Sequence, residues 1–247
     1  PKPGSFLAGY DQNRRSAGIH DNLFVKAVVI SNTATSMAIF TVDCIGMLYT
    51  QLLQVRQGVS KAIPGFPAEH IIMSSTHTHC GPDVVGIWGP DQTHSGVDSA
   101  YINSVVSIVV EQIVTAYKNQ KTSWGQYANT VHGQGWVENI SQPAELDRSV
   151  TVLQFRDRKG RNIATLTNFA CHPTILDGTT TDVSADYVAG YYETLDKAQG
   201  GVNMFLQGAI GGWVQPEHVP PTFVAAYEKG YGLAAAVVAA LKNPQSI

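Results

Sequence analysis

Apolar and polar positions alternate along several short stretches of the chain, as they do in strands that bury one face. Leu23 to Ser31 and Met37 to Val42 predict two paired strands, which the polar turn Asn32 to Thr35 joins. Ser149 to Phe155 and Asn162 to Ala170 predict a second pair around a charged turn. Hairpins of this kind favour a mixed sheet over a purely parallel one.

Four segments predict helices from their apolar spacing or their capping residues: Leu48 to Ala62, Asp98 to Lys118, Asp186 to Ala198 and Phe223 to Leu241. Asp98 or Ser99 is the expected N-cap of the second helix, and Ser184 that of the third. Short apolar stretches before His77 and over Val202 to Gln207 predict two further strands.

Strands interleaved with helices predict an α/β fold, a layered mixed β-sheet with flanking helices, as one catalytic domain over residues 1–247. Neither an internal repeat nor a linker divides the chain. Ligands in such folds gather where strands end. The predicted strand ends carry four chemically useful side chains: Asp43, His77, His79 and His172.

Composition narrows the class of protein. The 247 residues are 44% hydrophobic and 14% charged, which is typical of a globular protein with a sizeable core. A net charge of -3 without a Lys/Arg cluster argues against a nucleic-acid partner. We find no apolar stretch near the roughly 18–20 residues that a membrane span needs, so we expect no transmembrane segment.

Three cysteines leave three interpretations open. Cys44, Cys80 and Cys171 each lie beside a predicted strand end. They are small buried residues around a dry site, or one of them binds zinc, or Cys80 and Cys171 form a disulfide. The odd, low number argues against a disulfide framework.

Two histidine motifs are the main chemical signal. His77 and His79 stand two positions apart at a strand end, so both project from one face if the segment is extended. His172 follows a second predicted strand and precedes Pro173. If the two strands are neighbours, their imidazoles converge, and zinc is the natural cation for neutral imidazole ligands. Structural or surface histidines are the alternative interpretation.

Several motifs together resemble the neutral/alkaline (non-lysosomal) ceramidase family. Thr76–Pro82 (THTHCGP) resembles the family's T-H-T-H-S-G-P signature, and Asn168–Thr174 (NFACHPT) is similar to N-F-A-V-H-P-T. Five shorter segments resemble family segments in the same order: Gly18–Leu23, Val42–Met47, Asn139–Pro143, Ser184–Tyr187 and Phe205–Gly211. The resemblance covers the chain from about residue 5 to about residue 216.

The resemblance implies a zinc hydrolase, an amidase or esterase that cleaves an acyl amide or ester, with a lipid-like small molecule as substrate. His77 and His172 would bind Zn²⁺, and His79 would support the developing oxyanion as a catalytic residue. Zinc lowers the pKa of bound water towards about 7 and polarises a carbonyl. The resemblance also implies sphingolipid metabolism and a secreted or periplasmic location; the oligomeric state stays open.

The chain departs from the family pattern in three places. The family completes its zinc site with a glutamate and a tyrosine from more distal segments, and neither has a match before Ile247. Either the domain is incomplete at its C-terminus or another group completes the site. Gly211–Pro216 carries glycine where the family has an aspartate linked to activity, and Ile140 replaces an arginine. A general base from that turn is therefore not expected here.

Asp43 is predicted as a catalytic-site carboxylate that orients a zinc-binding histidine, with a turn or capping role as the alternative. His20 and Asp21 line the pocket or begin a loop. Glu217 and His218 are candidate replacement ligands or exposed loop residues.

The sequence is compatible with three alternative functions. The first is a zinc-dependent, ceramidase-like hydrolase. The second is a non-catalytic relative that keeps the fold as a ligand-binding or scaffold domain. The third is a hydrolase with Cys80 or Cys171 as nucleophile, for which no base partner can be identified and which no G-x-S-x-G motif supports.

Overall fold

A computed structural model describes residues 1–247, with twelve strands and four α-helices. The helices are α1 (Tyr49–Ala62), α2 (Ser99–Lys118), α3 (Tyr187–Gln199) and α4 (Phe223–Ala240). The strands are β1 (Gly18–Ile19), β2 (Val25–Ser31), β3 (Ser36–Val42), β4 (Ile71–Ser75), β5 (Ser123–Val131), β6 (Val137–Asn139), β7 (Ser149–Asp157), β8 (Asn162–Phe169), β9 (Asp182–Val183), β10 (Val202–Gln207), β11 (Val214–Pro216) and β12 (Gln245–Ser246).

The strands form two main sheets, and both are mixed, as predicted. In the three-stranded sheet β2-β3-β4, the β2–β3 pair is antiparallel and the β3–β4 pair is parallel. In the five-stranded sheet β10-β8-β7-β5-β12, only the β10–β8 pair is parallel. Two short ladders, β1–β9 and β6–β11, lie outside these sheets.

Period-two alternation along the strands sorts the apolar side chains into layers. Phe40 of β3 packs with α1 and α2, whereas Ile39 belongs to the cluster that also contains Leu166 of β8 and Met204 of β10. Phe205, on the other face of β10, packs with α3 and α4. The layers are therefore, in order, α1 and α2, the three-stranded sheet, the five-stranded sheet, and α3 and α4. This arrangement confirms the predicted layered α/β fold.

The parallel strands end close to the predicted chemistry. β3 and β4 run in the same direction and end at Val42 and Ser75, just before Asp43 and His77. β8 ends at Phe169, three residues before His172. A cavity of about 830 Å³ lies at the other end of the strands, between β2, the start of β8 and the end of α2, so it is not part of this site.

The start of α3 differs from the prediction. Its N-cap is Asp186, which accepts a hydrogen bond from the Tyr187 backbone N–H, whereas Ser184 donates its hydroxyl to Asp21. Asp186 has a φ of 58°, in the left-handed region that side-chain-bearing residues rarely adopt. Its carboxylate also accepts the Leu176 N–H at 2.8 Å, so one buried side chain joins two loops.

The expectation of no membrane-length apolar segment needs correction. α2 is long and apolar enough to cross a membrane by length and composition, and 22% of its most apolar stretch is buried. The helix nevertheless places Ile102, Val105, Val109 and Ile113 along one buried face, against α1 and the three-stranded sheet. One such helix is weak evidence for a membrane span, since a helix in the core of a soluble protein can be equally long and apolar.

Candidate metal centre

Three histidine side chains converge where β4 and β8 end. His77, His79 and His172 each offer one ligand atom, and these atoms lie within 4.8 Å of one another. The ring centroids of His77 and His172 are 4.9 Å apart, and those of His77 and His79 are 5.1 Å apart. The predicted meeting of the two histidine motifs is confirmed.

The main chain bends sharply at His77. Its φ of 71° lies in the left-handed region, a conformation that costs of order 1–3 kcal/mol for a residue with a side chain. The His77 N–H donates to the Cys44 carbonyl at 2.9 Å, and this bond ties the bend to the loop that follows β3. Such strained residues are enriched at functional sites.

Main-chain carbonyls orient two of the imidazoles. Nδ1 of His77 lies 2.5 Å from the Ile45 carbonyl oxygen, and Nδ1 of His172 lies 2.8 Å from that of Val214. A carbonyl can only accept, so each Nδ1 carries the hydrogen and each Nε2 keeps a free lone pair. This is the arrangement in which metal-binding histidines are usually held.

The ring of His79 is poorly satisfied. It is only 8% exposed, and neither ring nitrogen makes a hydrogen bond of normal geometry, although the Gly9 backbone lies close enough to interact with the ring. A buried polar group left unpaired costs about 1–3 kcal/mol. A ligand bound at the cluster would supply that partner, and the free Nε2 lone pairs of His77 and His172 are donors that suit zinc. The residues present therefore fit a metal ion.

Burial keeps all three imidazoles neutral. It lowers the pKa values of His77 and His172, and it lowers that of His79 to about 3, where repulsion from the other two histidines adds to the effect. At neutral pH the three rings are unprotonated, which is the state that binds a metal.

This pKa shift predicts how stability depends on pH. The unfolded chain takes up a proton on His79 near pH 6.5, well before the folded protein does, so this contribution to stability is present above pH 6.5 and is lost as the pH falls towards 3. For the metal-free protein, we expect the unfolding free energy of wild type to fall by about 2–3 kcal/mol more than that of His79→Gln between pH 7 and 4.5. Urea titrations at both pH values measure this; equal losses would contradict it.

No hydrogen bond joins the Asp43 carboxylate to a histidine, so Asp43 does not orient one directly as predicted. Its carboxylate is fully buried; it accepts the Phe24 N–H at 2.8 Å and the Tyr192 hydroxyl at 3.3 Å. Burial raises the pKa of Asp43 to about 7. The carbonyls of the next two residues, Cys44 and Ile45, are those that hold His77, so Asp43 reaches the cluster only through its loop.

The remaining candidates lie outside the cluster. Glu217 accepts a hydrogen bond from Gln215, and His218 lies 3.7 Å from Glu138 on the surface, so neither replaces a ligand here. Asp21 accepts bonds from Ser184 and Ala185, while His20 stacks on Phe223. All three cysteines are buried and free, which excludes the Cys80–Cys171 disulfide and leaves the metal-ligand set to histidine.

The glycine-rich turn does approach the site, but without a carboxylate. Trp213 lies 5.8 Å from His172 between ring centroids and is 56% exposed. Its carbonyl accepts the N–H of Ile140, which is 45% exposed. A β-carbon at Gly212 would lie 3.2 Å from the Asn139 side chain. The turn therefore contributes apolar surface beside His172.

Sequence reasoning missed the N-terminal segment behind His79. Gly9 has a φ of 99°, and a β-carbon there would lie 2.3 Å from the His79 ring. The Tyr10 ring meets His79 edge-on at 5.0 Å between centroids, and Arg14 donates to the His79 carbonyl. None of these residues belongs to a motif with metal-ligand spacing, so only the fold reveals their position.

Comparison with known proteins places this chain in a family. Residues 3–230 match the sequence profile described as neutral/alkaline non-lysosomal ceramidase, N-terminal. Since the match covers most of the chain, the protein belongs to that family, as the motifs predicted.

Two relatives and a solved structure that resemble this chain are much longer than it. Neutral ceramidases A and B of Dictyostelium discoideum are 22% and 24% identical over 193 and 189 residues, which are 69% of this chain and 26% of each relative. The crystal structure of neutral ceramidase from Pseudomonas aeruginosa matches with a TM-score of 0.84 at 20% identity, covering 98% of this chain and 42% of that one. The matched part of the chain thus spans about a quarter of the Dictyostelium relatives and less than half of the Pseudomonas enzyme.

Proposed function

We propose that this chain carries the histidine part of a zinc-dependent hydrolase centre that cleaves acyl amides or esters, as in a ceramidase. The supporting observation is the convergence of three buried, neutral imidazoles with ligand atoms within 4.8 Å. Burying three imidazoles together, one of them without a hydrogen bond of normal geometry at either ring nitrogen, is hard to explain by packing alone. Membership of the ceramidase family supports the same chemistry.

The proposed roles follow from the hydrogen bonds. His77 and His172 hold the metal through Nε2, because their Nδ1 atoms face carbonyls. Zinc, when bound, supplies a Lewis acid and an acidified water. His79 is neutral and carries one ring N–H, which it can donate to the oxygen on which negative charge develops. Asp43 positions His77 by fixing the loop that supplies the Cys44 and Ile45 carbonyls.

An N-acyl lipid is the proposed substrate class. The relatives are named ceramidases, so ceramide is the compound from which to begin. Exposed Trp213 beside His172, together with exposed Ile140, which donates its N–H to the Trp213 carbonyl, offers the apolar surface that an acyl chain needs. A secreted or periplasmic location stays a prediction from the family.

Metal analysis and hydrolysis on the same sample test the proposal. The purified protein is stripped with a chelator, reloaded with zinc and assayed by mass spectrometry for bound metal. Fluorogenic N-acyl and O-acyl substrates then report turnover. We expect about one zinc per chain and turnover that follows zinc content. Failure to take up zinc, or turnover that persists after stripping, would overturn it.

A non-catalytic, ligand-binding role is the second candidate. Its specific support is the Gly211–Gly212–Trp213 turn, which brings no carboxylate to the cluster as a general base. Zinc binding without any turnover on either substrate class, together with saturable binding of an N-acyl lipid, would favour this role over the first.

A further inference from the structure

The segment from Leu7 to Arg14 folds back behind His79 as a small brace. The Leu7 N–H donates to the Arg14 carbonyl at 2.8 Å, which closes the segment on itself. The Ala8 N–H donates to the Gly81 carbonyl at 3.0 Å, which fixes it beside the histidine motif. Gly9 and Tyr10 then lie against the His79 ring from two directions.

Arg14 is the unusual member of this brace. Its side chain is 7% exposed, and Nη2 donates to two main-chain carbonyls, those of Ala8 (2.8 Å) and His79. The guanidinium lies 4.7 Å from the centroid of the Tyr10 ring, in cation–π geometry. Nε and Nη1 have no hydrogen-bond partner.

Such a side chain is unfavourable for stability alone. Burying a cation costs several kcal/mol, and unused N–H donors add to that cost. An apolar residue of similar size could be buried there at a smaller cost in free energy. What the guanidinium does, and an apolar residue cannot, is hold the Ala8 and His79 carbonyls to one rigid group.

We propose that Arg14 is the positioning residue of His79. By joining the two carbonyls it keeps Gly9 and Tyr10 against the imidazole, so the ring stays where it faces His77 and His172. Its consequence for turnover rests on the proposed function. The positioning itself does not, because it concerns the place of a ring in the metal-free protein.

Histidine NMR tests the positioning without any activity. Metal-free protein with ¹⁵N-labelled histidine is compared as wild type, Arg14→Met, Arg14→Lys and Arg15→Met. Arg15 is the matched control, since it is exposed, donates to the Gly4 carbonyl at 3.2 Å and lies over the Phe6 ring, away from His79. We expect Arg14→Met to displace the ring signals of His79 more than those of any other histidine, and Arg15→Met to leave them in place.

The Arg14→Lys variant separates an effect on His79 from a general folding defect. It keeps a cation, but lysine is shorter than arginine and lacks the rigid guanidinium plane that lies over Tyr10, so we expect a wild-type melting temperature to within a few degrees and a displaced His79 signal. An unmoved His79 signal in a folded Arg14 variant would overturn the proposal. So would equal displacement of the His79 and His172 signals, because that indicates general loosening.

A double-mutant cycle then tests the route to turnover. If Arg14 acts through His79, Arg14→Met lowers kcat/KM by about 10- to 100-fold in wild type and by less than about twofold when His79 is already glutamine. Equal losses in both backgrounds would show that Arg14 acts elsewhere. If neither background turns over any substrate, the proposed function fails, and the NMR comparison still decides the role of Arg14.

Discussion

Replacing His77 with alanine is expected to abolish zinc binding and hydrolysis together. His77 supplies a lone pair that no neighbouring side chain can replace, because the cluster contains only His79 and His172 besides it. Loss of one protein ligand should weaken zinc binding by at least about a hundredfold, and turnover should fall by more than about a thousandfold.

Competition with a chromophoric chelator measures the zinc affinity, and the fluorogenic assay measures turnover. His94→Ala is the matched control: His94 is exposed on the surface, pairs with Asp91 and should behave as wild type in both assays. His172→Ala should repeat the His77 result. Full zinc occupancy in a folded His77→Ala protein would remove this residue from the metal site.

The second prediction with a large effect concerns His79, whose replacement should reduce turnover without reducing metal binding. We expect His79→Gln to keep its zinc and to lose about a hundred- to a thousandfold in kcat with little change in KM, because an oxyanion donor acts mainly in the transition state. Zinc affinity is measured by the same competition. If His79→Gln loses zinc as completely as His77→Ala, then His79 is a third ligand and not an oxyanion donor.

Local patterns in the sequence predicted most of the regular structure. The hairpin of β2 and β3 and the helix that begins after Asp98 were predicted within about two residues of their observed ends, because alternation and capping are local signals. β5 was missed. Its sequence SWGQYANTV buries a glutamine, Gln126, whose side chain pairs with Gln154 across the sheet, so its inward face does not look apolar.

The candidate site, like the fold, was predicted from the sequence only in part. The two histidine motifs could be found because each follows a recognisable strand. Asp43 was assigned the orienting role because a carboxylate is a visible partner for a histidine, whereas the actual partners of His77 and His172 are carbonyl oxygens of Ile45 and Val214. Every residue has a carbonyl, so the sequence carries no sign of which one will serve. Arg14 was missed because its contacts are also to carbonyls.

The use of carbonyls to hold His77 and His172 bears on how this family can diverge. Substitutions at Ile45 or Val214 change side chains but leave the accepting oxygens in place, provided that the loops keep their course. Selection for ring orientation then acts on loop shape and hardly at all on residue identity.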